Sequence, residues 1–235
     1  MARRPARRAT RSSSRKPAAP ATERGKIIAA FLDLLGEKRL ENIGLAEIAH
    51  QAGVSLAQLR GEFASTLAIL AAHIKDIDRA VLAEDLSELG DEPARERLFD
   101  VLMRRLEMLA PHRAAVRSLI RSATRNPPLA LALNALAVRS QQWMLTAAGI
   151  EASGPRGMVR AQGLALLFGS VLRTWIDDDE DPGVARTMAA LDRALNRGQR
   201  FAGLLEDLCH IPSRLCRMRS RRRRRSEDSE GSAAA

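Results

Sequence analysis

At 235 residues the chain is long enough for one or two domains with a substantial core. Hydrophobic residues make up 46%, but aromatics only 3%, and tyrosine is absent. That composition disfavours a β-sandwich or barrel, and the dominance of Leu, Ala and Ile favours helices.

The net charge of +10 sits mostly at the two ends. An N-terminal arm, 1–22, holds Arg3, Arg4, Arg7, Arg8, Arg11, Arg15 and Lys16 and no acid. A C-terminal tail, 211–235, holds Arg214, Arg217, Arg219 and Arg221 to Arg225 against Glu227, Asp228 and Glu230. Setting aside these seven and eight basic residues and three acids leaves 23 basic and 25 acidic residues, a body near neutrality. Both ends are expected to be disordered; as solvated ends or as polyanion-binding segments they serve equally well.

Pattern begins near Glu23. Ile27, Ile28, Phe31, Leu34 and Leu35 predict a first helix, and Gly36 to Gly44 a connection. Leu45, Ile48, Ala49 and Ala52 predict a short second helix, ended by Gly53. Ser55 with Gln58 forms a capping box for a third helix, whose buried face carries Leu59 and Phe63. From a cap at Ser65, a fourth helix carries the seam Leu67, Leu70, Ile74, Ile77 and Val81. Its break is expected at Glu88 to Asp91.

Leu98 to Leu109 predicts a fifth helix, stopped by Pro111, and His112 to Thr124 a sixth. The seventh runs from about Leu129 to Ala148. A Gly/Pro loop is expected over Gly154 to Gly157, then an apolar helix from Val159 to Ile176. After an acidic loop, Asp177 to Asp181, a last helix carries Met188, Leu191, Leu195, Leu204, Leu205 and Leu208. The expectation is an all-α chain of about nine helices, with residues 23–72 as a helix-turn-helix domain and 73–210 as a larger helical domain.

Three helices, the third entered through Ala52-Gly53-Val54-Ser55, make a unit that offers one helix to the major groove. Outward positions are Leu56, Ala57, Gln58, Arg60, Gly61 and Glu62. Leu56 suits a thymine methyl, Gln58 an adenine edge, and Arg60 a guanine or phosphate. Lys26 and Arg24 suit the opposite strand, and backbone N–H groups near Ser65 and Thr66 suit a phosphate. Against this stand Gly61, which costs ~1 kcal/mol in a helix, and the negative charge of Glu62. A helical packing unit that reads nothing stays open on these residues alone. The DNA-binding set is therefore Lys26, Ser55, Leu56, Gln58, Arg60 and Thr66.

The stretch LAEIAHQAGVSLAQLRGEFAS resembles the N-terminal domain of TetR-family regulators. Ile48, Ala49, Ala52, Gly53, Val54, Ser55, Leu59, Phe63 and Ser65 match the family pattern. Arg60, Glu62 and Thr66 stand where the family usually has the Tyr, His and Lys that touch phosphates. The resemblance implies a TetR-like homodimer that binds double-stranded DNA, acts as a repressor, and responds to a small apolar effector. Arg95–Leu119 and Thr174–Leu195 resemble the C-terminal domain of coenzyme Q biosynthesis accessory proteins. That likeness implies a rival function, the binding of isoprenoid lipid in ubiquinone synthesis.

Leu102, Leu136 and Trp143 are expected to line the effector pocket. Leu164, Phe168, Val171, Trp175, Leu191 and Leu195 are expected at a dimer face, where the resemblance implies a four-helix bundle. The acidic run lacks the spacing of a calcium loop. Cys209 and Cys216, seven apart, form neither a metal motif nor a disulfide framework. No nucleophile motif or cofactor loop is present, so neither an enzyme nor a cofactor is expected. No run reaches the ~18 apolar residues of a membrane span, and a cytoplasmic protein is expected.

Overall fold

The computed structural model describes residues 22–83, 92–178 and 185–199. Every regular element among them is helical, in the order α1 (Glu23–Glu37), α2 (Leu45–Ala52), α3 (Leu56–Glu62), α4 (Thr66–Ala83), α5 (Ala94–Leu109), α6 (Arg113–Ala123), α7 (Pro127–Ala147) and α8 (Gly154–Ile176). A further helix, α9, spans 185–199. Single 3-10 turns lie at Leu40–Asn42 and Ala110–His112. The expected break at Glu88 to Asp91, the residues Leu204, Leu205 and Leu208, and both basic ends lie outside the described residues.

Local sequence signals set the ends of the first four helices. Thr22 caps α1, its hydroxyl oxygen accepting from Gly25 N at 3.1 Å. Gly53, at φ 65°, closes α2 in the left-handed region, where a side chain would be strained. Ser55 Oγ accepts from Gln58 N at 3.1 Å, and Gln58 Oε1 accepts from Ser55 N at 2.8 Å, a complete capping box for α3. Ser65 Oγ accepts from Ala68 N at 3.1 Å as α4 begins.

Two apolar cores meet along α4. The first gathers Ile27, Phe31, Leu35, Ile48, Leu59, Phe63, Ile69 and Leu70 from α1 to α4, with Ala115 of α6. The second gathers Ile77 and Val81 with Leu98, Leu102, Leu106, Met144, Leu164, Phe168, Trp175, Leu191 and Leu195. Each fully buried side chain of this kind contributes ~1.5–3 kcal/mol relative to exposure. α6 joins the two regions, for α1 packs on it as extensively as α7 packs on α8. Ser118 Oγ donates to the Lys38 carbonyl, and Leu40 N donates to Ser122 Oγ at 3.2 Å. The turn after α1 is thus tied to the larger domain.

Two segments differ from expectation. Gly154 to Gly157 is the first turn of α8 rather than a loop. Pro155 lies within that turn, where its missing N–H costs nothing. Gly157 is required there, because a Cβ would lie 2.1 Å from the carbonyl carbon of Ala152. The acidic run is also not uniformly solvated. Asp178 is buried, and its Oδ2 accepts from Thr187 N at 3.0 Å and Thr187 Oγ1 at 2.8 Å. One acid of the run thereby anchors α9.

Candidate nucleic-acid interface and effector domain

α3 lies with Leu59 inward and Leu56, Ala57, Gln58, Arg60, Gly61 and Glu62 exposed. Leu56 is 57% exposed, an unusual place for leucine on a helix with no partner. Lys26 is exposed on α1, and Thr66 is half-buried at the start of α4. Arg24 lies over the Phe63 ring, 4.9 Å from its centroid, which draws it back from the surface expected to meet DNA.

Two residues of the expected DNA-binding set already have partners. Ser55 and Gln58 cap each other, and Gln58 Nε2 also donates to Glu23 Oε1 at 2.7 Å. Without DNA, the capping box engages the Gln58 amide oxygen and Glu23 of α1 its nitrogen, so contact with an adenine edge would require Gln58 to give up at least one of these bonds. Leu56, Arg60 and Glu62 are left as the larger side chains that project from α3 into solvent.

The three expected pocket residues are not brought together. Leu102 is fully buried in the larger core. Leu136 packs with Leu129 and Leu133 against the first core. Trp143 is 55% exposed. α7 is apolar over much of its circumference, so spacing alone did not show which face points inward. An open concavity of about 570 Å³ lies by the end of α4, lined by Asp76, Arg79, Ala80, Leu82 and Ala83. None of the three expected residues lines it.

The six residues expected at a dimer face are also placed elsewhere. Leu164, Phe168, Val171, Trp175, Leu191 and Leu195 are all buried in the core of a single chain. Four of them lie on the inward stripe of α8, and Leu191 and Leu195 lie on α9. Val159, Gly163, Leu166 and Ser170 form the outward stripe at alternating four and three steps, and Val159 and Leu166 are 59% and 64% exposed.

The larger domain contains a polar centre that spacing did not reveal. Asp78 of α4 is buried and paired with buried Arg105 of α5. Ser140 of α7 donates to the same carboxylate oxygen at 2.7 Å. The Arg105 guanidinium lies 5.7 Å from the centroid of the Phe168 ring on α8. Four helices therefore converge on one ion pair. The signal in the sequence was an acid inside the Ile77–Val81 seam and a base inside the Leu98–Leu109 stripe, each needing the other. Nearby, His73 and His112 meet edge to face with ring centroids 4.9 Å apart. Burial, then the neighbouring His112, pushes His73 down to about 4. Burial also lowers the pKa of His112.

Arginines close the ends of the long helices. Arg97 Nε donates to the Ala148 carbonyl at 2.9 Å, beyond α7. Arg117 donates to the Ile176 carbonyl at the end of α8, and Arg113 lies over the Trp175 ring at 4.6 Å. These cations complement the negative ends of helix dipoles. Among the described residues no group of three or more metal-ligating side chains converges, and no helix is long and apolar enough to cross a membrane.

No sequence-family profile and no curated relative matches the chain. Solved structures do. The TetR transcriptional regulator from Nitrosomonas europaea superposes with a TM-score of 0.59 at 22% identity, over 76% of this chain and 98% of that one. A TetR-family regulator from Syntrophomonas wolfei gives 0.55 at 18% identity, over 77% of this chain and 94% of that one. One from Rhodococcus gives 0.50 at 22% identity, over 75% of this chain and 94% of that one. Nothing in these comparisons supports the likeness to coenzyme Q accessory proteins. The helix order, the capped three-helix head and these superpositions together show that the chain has the TetR fold.

Proposed function

We propose that this chain is a TetR-type transcriptional regulator that binds double-stranded DNA as a homodimer, represses transcription, and is released by a small apolar ligand. One observation carries the reading. α3 is short, capped at its start and pinned inward by Leu59, and it presents Leu56 and Arg60 to solvent. A helix held this way matches the requirement for entering a major groove, and a half-exposed leucine suits a thymine methyl.

The dimer has support in the outward stripe of α8. Gly163 has no heavy atom within 4 Å of where a Cβ would lie, so a second helix can approach closely beside Val159 and Leu166. Two copies would set two heads on one duplex, which a single weak reader needs for specificity. Coupling to an effector has two routes. α4 carries Asp78 into the bundle, and α6 holds the turn after α1 through Ser118 and Ser122. A ligand that shifts α5 or α7 would load both routes.

The test is a titration against a duplex enriched from a random pool. Arg60→Ala should weaken binding by about 1–3 kcal/mol while leaving the fold intact. An unchanged affinity would remove α3 from the interface. Enrichment of no duplex, with an isoprenoid carried through purification, would favour the lipid-binding rival.

A further inference from the structure

We propose that His73 and His112 form a two-histidine site for a divalent transition-metal ion, nickel or zinc in class, which clamps α4 to the start of α6. The site goes beyond the DNA-binding reading and stands or falls without it.

The geometry suits one shared ion. His73 lies on α4 and is buried. His112 ends the 3-10 turn that contains Pro111, directly before α6. The two rings stand at 90° with centroids 4.9 Å apart. Two imidazoles that share one ion at ~2.1 Å, with a roughly tetrahedral angle, hold their centroids ~5 Å apart. Perpendicular ring planes are compatible with this, because each ring needs the ion only in its own plane.

The chemistry agrees with the geometry. Neutral imidazole is a preferred ligand of zinc, nickel and copper. Burial lowers the pKa of both rings, which favours that neutral form. Among the described residues neither ring hydrogen-bonds to another group. A buried polar side chain normally has a partner, and an ion would supply one.

The surroundings tolerate the added charge. Asp76 on α4 and Asp33 on α1 are exposed acids that favour positive charge at the pair. Arg105 opposes it, but its own charge is paired with buried Asp78. Among the described residues no group of three metal-ligating side chains converges, so water completes the coordination. His112 is half-buried and gives the ion its route from solvent. The two apolar cores meet along α4, and α6 holds the turn after α1 through Ser118 and Ser122. An ion bound to both elements therefore fixes the head relative to the larger domain.

The test is a calorimetric titration of the full chain with nickel chloride, with magnesium chloride as the hard-cation control. The proposal expects one saturable nickel ion per chain and no magnesium. Removing even an outer partner of a metal ligand typically costs about 10–100-fold in affinity. Losing one of two ligands, in His112→Gln, should therefore weaken nickel binding by at least about tenfold. His50→Gln and His210→Gln should leave it unchanged. Nickel at a hundredfold excess over Kd should raise Tm by about 5 °C or more. X-ray absorption of the nickel-loaded, unaltered chain should show two imidazole ligands, a readout that needs no variant to fold.

Absence of saturable nickel binding overturns the proposal. So does an affinity unmoved by His112→Gln, or the same loss caused by His50→Gln or His210→Gln. Fewer than two imidazoles on the ion also overturns it, and the rings are then a packing contact alone.

Discussion

The two cores of this molecule differ in what they bury. Among α1 to α3 every buried side chain is apolar, and the polar groups near them are satisfied locally at Thr22 and in the Ser55–Gln58 box. The larger domain instead buries Asp78, Arg105, Ser140 and Gln141 among leucines. The first region is positioned by caps and a left-handed glycine that act within a few residues. The second is positioned by pairs distant in sequence, among them the buried Asp78–Arg105 ion pair.

The same contrast explains what was legible in the sequence. Gly53, Ser55 with Gln58, and Ser65 act within four residues of themselves, and the structure uses each as its neighbours suggest. The all-helical fold followed from such signals and from the periodic seams. The interior of the larger domain did not. Asp78 and Arg105 are 27 positions apart, and Ser140 is 62 from Asp78. α8 shows two stripes, one buried and one exposed, and periodicity cannot say which is which. Gln58 was legible as a cap, and it caps α3 together with Ser55.

The largest expected effect breaks the polar centre. Arg105→Met leaves the Asp78 carboxylate buried with Ser140 alone, and should cost about 3–5 kcal/mol in denaturant unfolding. Pairing it with Asp78→Leu should restore much of that loss. A double variant no more stable than the single one would mean the ion pair is not the organising contact.

Next comes the outward stripe of α8. Leu166 is 64% exposed, so Leu166→Arg should leave the protomer folded. On the dimer reading it brings like charges together and should raise the dimer Kd about a hundredfold, read by analytical ultracentrifugation. No change in association would move the dimer face elsewhere.

Acid should then loosen the larger domain. The unfolded chain takes up a proton on His73 near 6.5, whereas the folded chain takes it up only at about 4. Unfolding therefore binds a proton in that window. The stability is complete above 6.5 and is lost as pH falls toward 4. His112, Asp76 and Arg105 are the charged or titratable neighbours that modulate it. His73→Leu should flatten this part of the stability–pH curve, and an unaltered slope would assign acid sensitivity to other groups.

The smallest effect sharpens the view of the head as locally determined. A Cβ at Gly61 would meet no heavy atom within 4 Å. Gly61→Ala should stabilise α3 by up to ~1 kcal/mol, seen as a modest rise in Tm. A loss of stability would show that the glycine answers a packing demand.

The central claim is that the exposed face of α3 enters DNA grooves in pairs. The most direct measurement is selection of duplexes from a random pool by the full-length protein, followed by sequencing. The account predicts an inverted repeat whose half-sites lie about 10 base pairs apart or a multiple of that, with base preference weakened at one position of each half by Arg60→Ala. Recovery of no common sequence, or of a repeat unaffected by changes at Leu56 and Arg60, would contradict it.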